Sequence, residues 1–264
     1  FHLEKTPSFA VNPEKQIYKC FGCGAGGGSI NFIMAVEKLE FVEAIKSLGE
    51  QYGIAVDINT SGKTKNLTTQ LFELQNIAAE HYQNNLKQDN GKPVIKYLNS
   101  RGITDETISR FNIGYSTKEW SSLLNKARKL ELNSSTMVQS GLFINGEKGY
   151  FDRFRNRIMF PIKDRNNKII AFAGRTFEDD DAAKYINSSE TPIYKKSAVL
   201  YGLSDSKTYL TKKNVAIIVE GYLDYLQLYQ AGIKNVAAVS GTAFTDSHAI
   251  ELNKYVQTVK IAYD

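Results

Sequence analysis

The chain has 264 residues, 42% hydrophobic and 23% charged, with a formal net charge of +5. That composition excludes a disordered or low-complexity chain, and no apolar run approaches the roughly eighteen residues a membrane-crossing helix needs. Its two cysteines lie three positions apart, which argues against a disulfide scaffold and for an intracellular setting.

From the amino terminus, Ser8 to Val11 and Gln16 to Lys19 read as two short strands around the turn-forming Asn12-Pro13-Glu14-Lys15. Cys20-Phe21-Gly22-Cys23 follows, with glycines at 22, 24, 26, 27 and 28 that let the backbone fold tightly. This is the spacing of a zinc knuckle. A redox pair is the alternative, although the helix-opening context of thioredoxin-like motifs is absent. His2 lies across the hairpin as a candidate third ligand. Ser29 is placed to cap a helix carrying Ile30, Ile33, Met34 and Leu39, and a second helix runs from about Phe41 to Gln51. The polar, breaker-rich stretch 59–69 is the expected linker.

Helical periodicity marks Leu71 to Leu86, Val94 to Leu98 and Ser121 to Leu130. Residues 148–175 hold eight basic side chains against Asp152 and Asp164, whereas residues 1–62 hold five lysines against seven acids. The basic charge is concentrated mid-chain, as a polyphosphate or nucleic-acid contact requires, or as a solvated strand face would have it. On a strand, Arg153, Arg155 and Arg157 would share one face, with Phe154 and Ile158 turned to the core. Further strand-like runs are Arg157 to Ile162 and Lys168 to Ala173, joined by a turn over Asp164 to Asn167. The acidic run Glu178 to Asp181 reads as a solvated loop, His81 and His248 as helix-surface histidines, and Trp120 as core.

From Val215 the pattern is strand, helix (Tyr222 to Ala231), strand (Val236 to Val239), helix (Asp246 to Tyr255), strand (Val259 to Tyr263). This is a parallel βαβαβ unit. The apolar run VAIIV ends in Glu220, at the carboxyl end of its strand, where open α/β sheets place ligands. VKIAYD ends likewise in Asp264. Two carboxylates on two strand ends suit Mg²⁺ or Mn²⁺ and phosphate chemistry.

These motifs resemble the bacterial replicative DNA primases. FHLEKTPSFAVNPEKQIYKCFGCGAGG is similar to the zinc-binding domain of that family, and DRFRNRIMFPI, AFAGR and KYINSSET to the basic motifs of its RNA-polymerase domain. IVEGYLD, the Ser240-Gly241-Thr242-Ala243 loop and IAYD resemble the Toprim domain, shared with topoisomerases and some nucleases. Ala173 and Ser189 stand where the family commonly has glycine and proline.

The resemblance implies a multi-domain α+β chain with a zinc ribbon (1–58), a linker (59–69), a mixed α/β basic subdomain (70–213) and a truncated Toprim subdomain (214–264). It implies zinc on His2, Cys20 and Cys23, with a fourth ligand preceding Phe1, and Mg²⁺ or Mn²⁺ at Glu220 and Asp264. Glu220 is either a ligand or an acid/base group. Arg153, Arg155, Arg175, Lys184, Tyr185, Asn187 and Lys196 would line a nucleotide and template groove, with Arg101 a weaker candidate. The implied partners are single-stranded DNA template, ribonucleoside triphosphates and, through a further domain, the replicative helicase. The implied location is the bacterial cytoplasm, at the replisome. The segment alone is expected to be inactive. The rivals are another Toprim enzyme, a primase fused to a helicase, and a non-catalytic zinc-ribbon nucleic-acid-binding protein.

Overall fold

The computed structural model describes residues 7–263 except 40, 55, 57–61, 131–133 and 179–182. The chain divides into two compact units, Phe1–Ser61 and Gly62–Asp264.

In the first unit, β1 (Phe9–Asn12) pairs antiparallel with β2 (Ile17–Cys20), and β2 with the two-residue β3 (Gly26–Gly27). Asn12 closes the intervening turn by accepting the Lys15 N–H at 2.9 Å, an Asx-type contact that favours this reversal. Two helices follow, α1 (Ser29–Glu37) and α2 (Phe41–Gln51). The small core holds Tyr18, Cys20, Leu39 and Ala44, and the Tyr18 ring meets Phe9 at 5.7 Å and Phe32 at 5.3 Å.

The second unit opens with α3 (Gly62–Leu86), α4 (Lys92–Ser100) and α5 (Asp105–Arg110). The linker expected over 59–69 therefore ends early, with Gly62 already helical. Leu71, Leu74, Ala78, Tyr82 and Leu86 recur at helical spacing and are all buried. That packing nucleates a helix whose polar amino-terminal turns contain no proline to stop it.

Next come β4 (Gly114–Ser116), α6 (Ser122–Ala127), α7 (Ser134–Gln139) and a hairpin of β5 (Phe143–Gly146) and β6 (Gly149–Asp152). Then β7 (Arg157–Lys163), β8 (Ile169–Arg175) and β9 (Tyr185–Asn187) complete an antiparallel sheet in the order β4-β7-β8-β9. Both faces are covered. Ile158, Phe160, Ile162, Ala171 and Ala173 pack with side chains of α4 and α5, while Met159, Ile169 and Phe172 pack with those of α3 and α6. Each fully buried isoleucine, methionine or phenylalanine among them contributes about 1.5–3 kcal/mol of transfer free energy.

The chain closes with α8 (Leu203–Lys213), β10 (Val215–Val219), α9 (Tyr222–Gln230), β11 (Val236–Ala238), α10 (Asp246–Leu252) and β12 (Thr258–Ile261). The sheet is parallel in the order β11-β10-β12, as the sequence pattern predicts. On one face, Ala216, Ile218, Ala237 and Val239 pack with Leu203, Leu210 and Leu252. On the other, Val219, Val236 and Ala238 join Leu223 and Leu226 of α9 and the cluster beneath the antiparallel sheet. One apolar cluster thus ties the two sheets together, so the ends of β9 and β10 are set by packing and not by a loop. No described helix is long and apolar enough to cross a membrane.

Candidate active site

The candidate site lies where β10, β11 and β9 end. Glu220 follows β10 directly and is exposed, as the βα turn of a parallel strand dictates. Its carbonyl accepts the Ser240 N–H at 2.9 Å, which fixes the loop after β11 against it. Ser240 and Gly241 take φ of 58° and 83°, turning that loop back over the strand end. Asp224 accepts the Gly221 N–H at 2.9 Å and caps α9, so this second acid of the motif shapes the turn instead of joining Glu220.

Groups from the basic region converge on the same loop. Lys196, in a 3₁₀ turn over Lys196–Ala198, donates its Nζ to the Gly241 carbonyl at 3.2 Å. Asn187, the last residue of β9, donates Nδ2 to the Ser240 carbonyl at 3.4 Å and accepts the Tyr222 hydroxyl on Oδ1 at 2.8 Å. Arg153 donates Nε to the Asn187 carbonyl at 3.0 Å, and burial pulls its pKa down.

Arg175 ends β8 and is buried. It donates to the Tyr185 hydroxyl at 2.7 Å and to the Tyr97 hydroxyl, with both rings under its guanidinium. Its Nε is buried without a partner, the kind of donor an incoming anion satisfies. Burial raises the Tyr185 pKa, holding its hydroxyl protonated. Lys184 lies beside it, exposed.

Some expected site residues lie elsewhere. The shared strand face for Arg153, Arg155 and Arg157 does not form, because β7 starts only at Arg157. Arg157 is buried and donates to the carbonyls of Gly174, in β8, and Ala183, just before β9, satisfying two backbone acceptors. Arg155 lies 4.2 Å from the ring centre of Trp120 and also over Phe151. Trp120 is therefore not core but 61% exposed, with its ring used as a platform for the guanidinium. Arg101 is exposed at the end of α4. Its carbonyl accepts Gln227 Nε2 at 2.7 Å, near the carboxyl-terminal half of α9 and away from the Glu220 end.

His248 is fully buried in the α10 cap, contrary to a surface position, and burial lowers its pKa. His81 is half-buried beside the Ser122 hydroxyl at 3.0 Å, and burial depresses it to about 4. Glu178 pairs with Lys118 at 3.0 Å, and Asp179, Asp180 and Asp181 lie outside the described residues. Sequence reading missed Tyr97 and the role of Tyr222. The latter was legible only as the residue following Glu220-Gly221, while nothing in the sequence marks Tyr97.

In the first unit the Cys20 N–H donates to the Ala25 carbonyl at 2.7 Å and the Gly24 N–H to the Cys20 carbonyl at 2.9 Å, closing a tight knuckle. Cys20 is buried and Cys23 exposed. Hydrogen bonds from the Cys23 backbone and the Ser8 hydroxyl lower the Cys20 thiol to about 7. A thiol poised to ionise in a two-cysteine knuckle fits zinc. At the other site, the exposed Glu220 carboxylate is a hard donor that fits a divalent cation. His2 and Asp264 lie outside the described residues. Among the described residues no group of three potential ligands gathers.

Comparison with known proteins runs along the same three regions. Residues 1–64 match the CHC2 zinc finger, residues 81–207 the DNA primase catalytic core, N-terminal domain, and residues 217–264 the Toprim-like family. The zinc-finger match supports zinc and the Toprim match a divalent metal. The chain is 42% identical over 270 residues to the DNA primase of Clostridium acetobutylicum, an alignment covering all of this chain and 44% of that protein. It therefore spans less than half the length of that curated relative. Among solved structures, the Aquifex aeolicus primase (zinc binding and RNA polymerase domains) is similar with a TM-score of 0.69 and 34% identity, over 100% of this chain and 64% of that one. A DnaG primase catalytic domain bound to ssDNA is similar with a TM-score of 0.70 and 33% identity, over 76% and 62%. A zinc-finger region, a primase core and a Toprim region in this order, with the site between the last two, place the chain in the DnaG-type family of bacterial DNA primases.

Proposed function

We propose that the second unit carries the nucleotide-adding centre of a primase, a DNA-directed RNA polymerase that makes short RNA primers on single-stranded DNA. The observation that carries this reading is the meeting of the Glu220 strand end with Lys196 and Asn187 across the Ser240–Gly241 loop. An exposed carboxylate that suits a cation and cationic and amide donors that suit phosphates are then gathered around one loop.

The chemistry is displacement of pyrophosphate from a ribonucleoside triphosphate by the 3′-hydroxyl of the growing strand. Glu220 and Asp264 would hold Mg²⁺ or Mn²⁺, which supplies charge neutralisation for the triphosphate and favours the ionised 3′-hydroxyl. Lys196 and Arg175 would bind phosphate oxygens, Arg175 through its unpartnered Nε. Tyr185 offers a ring for a base, although its contact with Arg175 fixes its plane first. Arg153, Arg155 and Lys184 would follow the template backbone, with Trp120 presenting a stacking face. Arg101 is a candidate only for the periphery of that path.

In the first unit, Cys20 and Cys23 with His2 would hold zinc, and the unit would contact single-stranded template. Single-stranded DNA comes to this chain from the ssDNA-bound relative. Ribonucleoside triphosphates, the replicative helicase and a replisome location come from the family resemblance. A division near residue 214 between the basic and Toprim parts is proposed on the same footing, with β10 starting at Val215.

The test is synthesis of oligoribonucleotides by the full-length protein on a single-stranded template with ribonucleotides and Mg²⁺ or Mn²⁺. Products whose sequence follows the template are expected. Their absence under conditions where a control primase is active overturns the proposal.

A further inference from the structure

Glu220, Tyr222, Asn187 and Ser240 form a closed circuit. The Glu220 carbonyl accepts the Ser240 N–H at 2.9 Å, and the Ser240 carbonyl accepts Asn187 Nδ2 at 3.4 Å. Asn187 Oδ1 in turn accepts the Tyr222 hydroxyl at 2.8 Å, and Tyr222 is two residues from Glu220. Three of these residues belong to the parallel sheet and its turns, while Asn187 ends the antiparallel sheet.

The Tyr222 ring has little freedom. It is 2% exposed, stacked on Phe160 at 5.3 Å, edge-on to Tyr201 at 4.7 Å and 5.7 Å from Tyr185. Phe160 lies in the antiparallel sheet and Tyr201 bridges to Ala238 of the parallel one, so the ring is clamped by both. Its hydroxyl donates its proton to Asn187 Oδ1. An asparagine amide can present either its oxygen or its nitrogen in a given direction. The Tyr222 proton selects the oxygen, which turns Nδ2 toward the Ser240 carbonyl.

We propose that Tyr222 is a positioning residue. Its hydroxyl fixes the Asn187 amide and thereby holds the nucleotide-facing end of β9 in register with the Glu220 strand end. The consequence for turnover rests on the primase reading above, whereas the brace itself does not. Tyr222→Phe keeps the clamped ring and removes only the donor. One hydrogen bond of ordinary strength corresponds to about tenfold in an equilibrium constant.

The test uses the full-length protein and two readouts. In ¹⁵N NMR, exchange of the Asn187 side-chain amide protons should be about tenfold faster in Tyr222→Phe than in wild type, with Tm shifted by roughly 4 °C or less. In primer synthesis, Tyr222→Phe should raise KM for ribonucleotides about tenfold with a smaller change in kcat, and Tyr222→Phe/Asn187→Ala should be no worse than Asn187→Ala alone. Unchanged amide exchange overturns the brace whether or not the protein makes primers. Effects that add in the double variant overturn the link through Asn187. Faster exchange in Tyr222→Phe, together with a wild-type protein that makes no primer, keeps the brace and overturns the primase reading instead.

Discussion

The Lys196 ammonium donates to the Gly241 carbonyl at 3.2 Å, holding a cation from the basic part of the chain over the loop that follows β11. That carbonyl is a weak partner compared with a phosphate oxygen, so the ammonium is released readily when an anion enters. The Thr245 hydroxyl donates to the Ser197 carbonyl at 2.7 Å and anchors the turn from below.

Lys196→Ala should raise KM for ribonucleoside triphosphates by about ten- to a hundredfold, the range of a charge-assisted hydrogen bond. Folding stability should change little. Steady-state primer synthesis over a range of nucleotide concentrations, paired with thermal unfolding, checks both.

Asp152 supplies a pH signature. Its two carboxylate oxygens accept the Leu123 and Leu124 N–H groups at 2.8 and 2.9 Å and cap α6, while burial raises its pKa to about 6 despite those bonds. Because the folded pKa lies above the unfolded one, this group's contribution to stability is fully present below about pH 4 and is lost as pH rises through about 6. Asp152→Asn should flatten the dependence of Tm on pH across that window. An unaltered profile would assign the dependence to other groups.

Gly202 tests the packing beneath the site. Its φ is 80°, and a Cβ there would overlap the Tyr225 ring, which is itself fully buried. Gly202→Ala should destabilise the second unit by about 2–4 kcal/mol, combining positive-φ strain with overpacking. Urea unfolding measures it.

Cys20→Ser should remove zinc from the first unit, because the knuckle loses its buried thiolate donor. Metal analysis and the absorption of a Co²⁺-substituted protein report the loss directly. Unfolding of the Gly62–Asp264 unit, with its own apolar clusters, should be little changed.

The periodic parts of the fold were legible. The alternation of VAIIV, α9, β11, α10 and β12 predicts the parallel sheet, because a strand buried on both faces needs continuous apolar bulk. The basic motif was less legible. Arg153, Arg155 and Arg157 alternate as a strand face would, yet the strand begins at the last of them, and the Arg157 guanidinium turns inward to the Gly174 and Ala183 carbonyls. Alternation over three residues does not reveal where a ladder starts. Trp120 failed for a related reason: a large ring reads as core until its cationic neighbour Arg155 is placed over it. The link between Asn187 and Tyr222, 35 residues apart, depends on the packing of two sheets and left no local trace.

The most direct test of the account is Glu220→Gln in the full-length protein, with primer synthesis and template binding measured side by side. The substitution keeps the side-chain shape and the backbone hydrogen bond to Ser240 while removing the charge. Synthesis should fall by at least about a hundredfold, as loss of a site that stabilises transition-state charge implies. Single-stranded DNA affinity should remain within about threefold of wild type, because the basic side chains are untouched. Synthesis at the wild-type level, or binding lost in proportion to synthesis, would contradict a catalytic Glu220.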